Sequence, residues 1–163
     1  MNNYEKAMAK LEEKFGDYKD NVLGLATVAL DVNDAGKPRP VVRDVDAYYE
    51  DGAFYVVTYA KSNKMLQIAQ NNEVSIAVNF GWFTARGVGE NLGWVMKPEN
   101  ATLRTKLRKA FEKWYDMAND ETDENCCFLK IELRDGALNI NHAETMINYD
   151  FANKSATIKG KEI

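Results

Sequence analysis

The segment from Thr58 to Lys64 gathers hydroxyl, amide and ammonium groups between two structured stretches. Before it, the apolar run that starts at Phe54 predicts a strand, and after it a helical pattern begins near Ser62. A helix N-terminus attracts anions, because its first N–H groups lack partners and the macrodipole is positive there. A lysine this early in a helix is unfavourable unless an anion lies beside it. Two interpretations remain open: a bound phosphate, or a serine N-cap followed by a solvated lysine.

Arg43 is the second residue whose chemistry indicates binding. Alternation along the strand predicted for Pro40 to Tyr49 places Arg43 on the apolar face with Val41, and Asp44 on the opposite face. An unpaired buried charge is costly, so this guanidinium requires either a structural carboxylate or a bound anion. Its two parallel donors suit phosphate. Arg39, just upstream, is expected to be exposed to solvent.

No arrangement of side chains in the sequence indicates catalysis by itself. His142 is the only histidine, which excludes a site with several histidine ligands, and no Cys-x-x-Cys, HExxH or Walker loop is present. Cys126 and Cys127 are adjacent, and neighbouring strand residues point to opposite faces, so no ordinary disulfide joins them. We therefore expect no metal site and name no catalytic residue. If the protein is an enzyme, a cofactor carries the chemistry.

Composition places the chain among ordinary globular proteins. It has 163 residues, 45% hydrophobic and 28% charged, enough for one domain spanning residues 1–163. The net charge of -4 argues against nucleic-acid binding. The chain has no run of about 18 apolar residues and no signal-type N-terminus, so we expect neither a membrane span nor export. With only two cysteines, a reduced cytoplasmic protein is the default expectation.

The apolar periodicity predicts an α+β domain with mostly antiparallel strands, since the connections have hairpin length. Glycines at 87, 89 and 93 predict bulges or a bend that would curl a small sheet into a barrel. The segment 144–163 is either an extra hairpin or a loosely ordered tail. The predicted elements are a helix over 2–16, strands Leu23–Asp31, Pro40–Tyr49 and Ala53–Tyr59, a helix Ser62–Asn71, strands Val74–Phe80 and Phe83–Val95, a helix Pro98–Ala118, and a hairpin of Cys126–Leu133 and Ala137–Ile140.

Two details of burial also follow from the pattern. The strand Leu23–Asp31 carries apolar residues on both faces, which predicts a central strand covered on both sides. The helix Ser62–Asn71 is expected to turn Met65, Leu66, Ile68 and Ala69 inward.

Five short motifs occur in an order that resembles the pyridoxamine 5′-phosphate oxidase-like family, also called the FMN-binding split barrels. The resemblance covers roughly residues 1–135 and is strongest over 23–80. The motifs are Leu25-Ala-Thr-Val28, Gly36-Lys-Pro-Arg-Pro-Val-Val-Arg43, Phe54-Tyr-Val-Val-Thr58, Ser62-Asn-Lys64 and Asn71-Asn-Glu-Val74.

The resemblance implies a six-stranded antiparallel split β-barrel with peripheral helices. It also implies a homodimer with FMN in a groove at the subunit interface. On this sequence the phosphate would be held by Arg39 or Arg43 with Thr58, Ser62 and Lys64. Backbone groups near Val41, Val42 and Val57 would face the flavin ring.

Three departures separate the chain from the oxidases proper. Asn63 replaces the arginine of their serine–arginine–lysine run, and Asp44 replaces a lysine after Arg43. Their arginine two residues before a histidine is absent, because Ile140 stands two residues before His142. The resemblance thus indicates the small general-stress branch: an FMN-dependent oxidoreductase for a small substrate, with a nicotinamide compound as a candidate electron donor. The alternatives are a non-catalytic flavin store or sensor, or a split barrel that uses a deazaflavin or haem.

Overall fold

Eight antiparallel strands form one continuous sheet in the computed structural model, which describes residues 1–161 and 163. The sheet order is β3-β2-β1-β4-β5-β6-β7-β8, and β3 also pairs with β6. That pairing closes the first six strands into the predicted barrel, while β7 and β8 extend it as a hairpin. The strands are β1 Asn21–Val32, β2 Pro38–Glu50, β3 Ala53–Tyr59, β4 Glu73–Val78, β5 Phe83–Trp94, β6 Cys126–Ile140, β7 Thr145–Asp150 and β8 Ser155–Gly160.

The described residues also form four α-helices around the barrel: α1 Asn3–Phe15, α2 Asn63–Gln70, α3 Ala101–Ala110 and α4 Tyr115–Ala118. α1 begins with a capping box in which Asn2 and Glu5 each accept a hydrogen bond from the other's backbone N–H. Its apolar stripe packs against the barrel, because Leu11 and Phe15 belong to the core. None of the helices in the described part of the chain has the length and apolar character needed to cross a membrane.

Two apolar clusters account for the core. The larger cluster fills the barrel, and the smaller one lies between the outer surface of the sheet and α3, where Leu107 and Phe111 are buried. The adjacent thiols of β6 separate as predicted: Cys127 points into the barrel cluster and Cys126 into the helix-covered cluster.

The barrel is split between β2 and β3. These strands pair at only three positions, all beside their hairpin: Tyr48 with Tyr55, Tyr49 with Phe54, and Glu50 with Ala53. Beyond them β2 continues along β1 and β3 continues along β6, so the two neighbouring edges diverge. Facing strand edges that are not paired to one another expose backbone N–H and C=O groups, which a ligand can satisfy.

The predicted hairpin around Arg134 is wrong, because β6 is one strand that runs through it. β6 pairs successively with β3, β5 and β7, and these three ladders outweigh a local turn signal. The extra residue is absorbed by a bulge, since the β5–β6 register shifts between Arg86 and Gly87. The bulges predicted from the β5 glycines are confirmed here and between Asn91 and Trp94.

The helix predicted from Pro98 to Ala118 is broken into a 3₁₀ turn, α3 and α4. The break buries Phe111 fully and stacks it on Trp114, with 4.7 Å between the ring centroids. Trp114 Nε1 then donates a hydrogen bond to Asp20 at 2.7 Å, and the sequence pattern did not predict this contact. Tertiary contacts of two large aromatic side chains therefore decide the local structure.

Two burial predictions are also corrected. On α2, Leu66 and Ala69 are exposed, and Gln67 is buried beside Met65 and Ile68. β1 is central, but its outward face is only partly covered in the single chain, because burial alternates along the strand. The segment after residue 144 contains the hairpin β7–β8, the first of the two forms expected for it.

Candidate functional site

A cavity of about 400 Å³ lies at the split between β2 and β3. We call it the split cavity. Three of the predicted binding residues line it: Val57 and Thr58 at the end of β3, and Lys64 in the first turn of α2. Trp114 and the residues around α4 contribute to its wall from outside the barrel. The strand-to-helix corner identified in the sequence is therefore part of a concave site.

Lys64 and Arg43 lie close enough to influence each other. Burial lowers the pKa of Lys64, and the positive charge of Arg43 lowers it further. Burial also lowers the pKa of Arg43. Among the described residues, neither side chain forms an ion pair with a carboxylate. Two neighbouring cations without acidic partners favour an anion between them.

The guanidinium of Arg43 is held by neutral groups. Its Nη1 donates to the hydroxyl of Thr27 at 2.6 Å and to the carbonyl of Leu25 at 3.2 Å, and its Nη2 donates to Gln67 Oε1 at 2.8 Å. The structural carboxylate that the sequence left open is not among these partners. The contacts fix the direction of the guanidinium and leave its charge uncompensated.

Ser62 is the N-cap of α2, but its side chain makes no capping hydrogen bond. Its hydroxyl oxygen is buried and has no hydrogen-bond partner in the part of the chain that the structure describes. A buried hydroxyl without a partner costs free energy, and such an atom in a native structure calls for an explanation. Ser62 stands two residues before Lys64, so a ligand oxygen at this corner would satisfy the hydroxyl and the ammonium together.

The remaining predicted residues differ in their burial and in their contacts. Val41 is half-buried on the same face of β2 as Arg43. Val42 is on the opposite face with 69% of its surface exposed. Arg39 is exposed and forms an ion pair with Asp31 at 2.7 Å. The structure thus places Arg43 close to Lys64, while Arg43 and Ser62 are not among the residues that line the split cavity, and Arg39 has a partner of its own.

Gln67 and Thr27 are site residues that the sequence interpretation missed. Both are buried, and the Thr27 hydroxyl donates to Gln67 Oε1 at 2.6 Å. Helical spacing carries the signal for Gln67, because it lies three residues after Lys64 and therefore on the same side of α2. Thr27 carried no local signal, since its role depends on the pairing of β1 with β2.

One acidic side chain of the split cavity has unusual electrostatics. Asp46 lines the cavity from the outward face of β2. Burial, followed by the charge and hydrogen bonding of Asp20, raises the pKa of Asp46 to about 6. The cavity therefore carries a cationic corner at Lys64 and a carboxyl group that holds a proton more strongly than usual.

A second cavity, of about 850 Å³, lies on the outward face of the barrel across β1, β4, β5 and β6. Small side chains form most of its floor, including Gly24, Ala26, Ser75 and Ala77, and Val42 lies at its side. We call this surface the outer face.

No family model matches the chain, and no curated protein sequence matches it either. Solved structures do match. A pyridoxamine 5′-phosphate oxidase-related, FMN-binding protein from Nostoc punctiforme aligns over 100% of this chain and 98% of its own, with 16% identity and a TM-score of 0.61. General Stress Protein 26 from Bacillus anthracis aligns over 77% and 91%, with 21% identity and a TM-score of 0.55. A heme binding protein from Mycobacterium smegmatis aligns over 90% of this chain and 59% of its own, with 15% identity and a TM-score of 0.63.

The fold therefore defines the class: a split β-barrel with peripheral helices. More particularly, it is the fold of the proteins related to pyridoxamine 5′-phosphate oxidase and General Stress Protein 26, as the ordered motifs of the sequence predicted.

Proposed function

We propose that this protein binds FMN in the split cavity and acts as an oxidoreductase on a small substrate. One observation carries the proposal: Arg43 and Lys64 lie close together and neither pairs with a carboxylate among the described residues, and the buried hydroxyl of Ser62, two residues before Lys64, has no partner among them either. This corner offers two cationic side chains and a hydroxyl donor for a phosphate ester, and charge-assisted contacts of this kind are the strong ones. The neighbour from Nostoc punctiforme, described as FMN-binding, supports the choice of ligand.

Each residue has a distinct part in this proposal. Lys64, Arg43 and Ser62 would hold the phosphate, with Thr58 beside them. The diverging edges of β2 and β3, around Val41, Val42 and Val57, would offer backbone hydrogen bonds to the ring. When bound, the flavin would supply hydride or electron transfer, and the protein would position it and keep water away.

A haem cofactor is the second candidate, because one neighbour of this fold is described as a heme binding protein. Iron requires an axial ligand, most often a histidine. His142 is exposed in the turn between β6 and β7 and is not among the residues that line the split cavity. The cationic corner therefore supports a flavin phosphate better than haem.

We also propose that the active form is a homodimer. The outward face of β1 and β2 exposes apolar side chains in the single chain: Val22, Leu30, Val32 and Val42. Exposed apolar side chains on one face of a sheet are candidates for an interaction site. A second copy on this face would supply the cover that the apolar pattern of β1 predicts.

The experiment is an absorption scan of the purified protein, followed by mass spectrometry of whatever is released on denaturation. Absorption near ~450 nm with released FMN supports the proposal. A colourless protein that takes up no FMN on reconstitution contradicts it. Bleaching by a nicotinamide donor, with reoxidation by an added acceptor, distinguishes an oxidoreductase from a flavin store or sensor.

A further inference from the structure

The turn between β4 and β5 holds two large aromatic side chains in solvent. Phe80 has 99% of its surface exposed and Trp82 has 64%. Both residues adopt left-handed backbone conformations, with φ values of 56° and 55°, which are uncommon for bulky side chains. Such conformations persist only where the surrounding structure imposes them, and they are concentrated at functional sites. We call residues 79–82 the aromatic turn.

The aromatic turn is fixed to the barrel by its backbone. The N–H of Asn79 donates to the carbonyl of Val22 on β1 at 2.9 Å, and the N–H of Gly81 donates to the carbonyl of Val78 at 3.0 Å. Gly81 also lies against the core, because a Cβ atom there would come within 2.8 Å of the ring of Phe15. The turn therefore presents its two rings on a rigid support, and association through them orders few flexible groups.

The floor of the outer face adjoins this turn. Strand pairing places Gly24, Ala77 and Thr84 side by side in one row of outward positions, and Ala26 beside Ser75 in the next row. All five line the cavity of about 850 Å³ described above. The aromatic turn begins two residues after Ala77 and ends two residues before Thr84. A protruding pair of large side chains thus stands directly beside a hollow lined by short ones.

The charged side chains at the outer face are already compensated in part. Arg86 and Asp135 both line the cavity, and Arg86 donates from Nε and Nη2 to the two oxygens of Asp135 at 2.9 and 3.0 Å. Val42, which is apolar and exposed, lies at the side of the same cavity. A partner that covers this surface meets a paired charge and apolar groups, which suits another apolar surface better than a charged ligand.

A second copy of this chain has the shape that matches. In a two-fold pair the same patch of both copies forms the interface, so a protrusion beside a hollow is self-complementary. An axis between the two places each turn in the hollow of the other copy. An aromatic side chain can bury roughly 150–250 Å², and a stable interface buries about 1,200–2,000 Å² in total. Phe80 and Trp82 of both copies would supply a large part of that area.

We propose that Phe80 and Trp82 of each copy insert into the outer-face cavity of the other copy and are the main anchors of the homodimer. The inference rests on the homodimer of the proposed function and names its contacts. Aromatic anchors that fill pockets near the centre of an interface carry most of the binding free energy. The short side chains of the floor, such as Ser75 and Ala77, are therefore part of the interface because they leave room for the rings.

The first test joins two copies covalently. One sample carries Asn79→Cys, which keeps both rings, and the other carries Ser75→Cys; the two are mixed and treated with a short bismaleimide. The native thiols of Cys126 and Cys127 are buried and protected. We expect a product that contains both variants, at twice the chain mass of 18.5 kDa. Met117→Cys, on exposed α4, should give no such product with Ser75→Cys. Equal yields from the two mixtures would overturn the inference.

The second test measures the dissociation constant of the dimer by analytical ultracentrifugation. The double variant Phe80→Ser with Trp82→Ser should raise it by about a hundredfold or more, through loss of the anchors. Ser75→Trp should raise it similarly, because it fills the cavity from the other side at an outward position that leaves the core intact. Met117→Ser with Leu66→Ser removes two exposed side chains elsewhere and should match the wild type. Thermal melting checks that each variant is folded.

The outcomes separate this inference from the proposed function. A wild-type protein with the mass of one chain contradicts the homodimer and the inference with it. A dimer that keeps its affinity in Ser75→Trp and in a folded Phe80 and Trp82 double variant overturns the inference alone. Neither measurement uses the flavin, so a protein that takes up no FMN contradicts the proposed cofactor while these tests still decide the interface.

Discussion

The charge of the strand-to-helix corner depends on two side chains that are held in different ways. Arg43 is fixed by three hydrogen bonds to neutral groups, whereas Lys64 is directed into the split cavity by its place in the first turn of α2. Because no acidic side chain pairs with either cation among the described residues, an anionic ligand gains the full attraction of both.

We expect the double variant Lys64→Ala with Arg43→Ala to weaken FMN binding by about a hundredfold, or about 3 kcal/mol, through two lost phosphate contacts. Fluorescence titration of FMN measures the affinity, and thermal melting checks that the variant is folded. Lys61→Ala is the matched control, because Lys61 is an exposed lysine three residues before Lys64. Equal affinity of a folded double variant and the control would exclude this corner as the phosphate site.

Gln67→Glu should weaken anion binding at the same corner by neutralising Arg43. Gln67 Oε1 lies 2.8 Å from Arg43 Nη2, so a carboxylate in its place would pair with the guanidinium and neutralise it. We expect FMN affinity to fall about tenfold or more while the melting temperature is kept or rises. Gln70→Glu, on the exposed part of α2, adds the same charge without that contact. Similar affinities of the two variants would show that the charge of Arg43 is not used for binding.

The raised pKa of Asp46 also leads to a prediction about the stability of the fold. Its pKa in the folded protein is raised from 3.8 to about 6, so the folded state binds protons more strongly than the unfolded chain. The stability gained from that proton is present below pH 3.8 and is lost as the pH rises through about 6. Asp46→Asn should therefore melt at a higher temperature than the wild type at pH 7.5 and lose that advantage near pH 4. A constant difference at both pH values would contradict this origin.

At the scale of the elements, the closed barrel depends on the bulge where β5 crosses β6. A Cβ atom at Gly87 would overlap the backbone oxygen of Glu132 on the neighbouring strand. We expect Gly87→Ala to destabilise the fold by about 1–3 kcal/mol in urea unfolding, because backbone atoms cannot move aside cheaply. Gly24→Ala on β1 is the control, since its Cβ would have its nearest neighbour at 3.5 Å, an ordinary contact. Equal losses in the two variants would mean that close packing at the bulge is not the cause.

Local signals were sufficient where an element depends on its own residues. The strand Ala53–Tyr59 has the predicted limits, and α2 begins directly after Ser62 as its N-cap pattern indicated. Local sequence signals failed where residues distant in the sequence determine the local structure. The Arg134-Asp-Gly136 sequence is typical of a turn, yet it is held straight in β6 by ladders to β5 and β7.

The residues of the candidate site divide in the same way, into those predicted from a local segment and those that depend on distant contacts. Ser62 and Lys64 were predicted from a single segment, whereas Thr27 and Gln67 were not, because their contact joins residues 40 positions apart. The pair of Asp20 and Asp46 likewise depends on the registration of β1 with β2 and on the break between α3 and α4. Sequence patterns therefore predicted the anion-binding corner but not the groups that orient its arginine or the acid beside it.

At the scale of the whole molecule, the outward face of β1 and β2 is the surface through which we propose that two copies associate. Val42 on β2 lies at the side of the outer face and has 69% of its surface exposed. Leu30 and Val32, near the end of β1, are more than half exposed. A symmetric pair of copies would bury this apolar surface twice, once on each chain.

Val42→Asp should convert the proposed dimer to a monomer, because a charge buried at a symmetric interface meets its own copy and remains unpaired. Light scattering coupled to size-exclusion chromatography measures the mass, which is 18.5 kDa for one chain. Met117→Asp is the matched control, since Met117 is also exposed but lies on α4. We expect the control to retain twice the chain mass and the Val42 variant to lose both the partner and flavin affinity. A wild-type protein that elutes at the mass of a single chain would exclude the dimer, and a dimeric Val42→Asp would move the interface to another face.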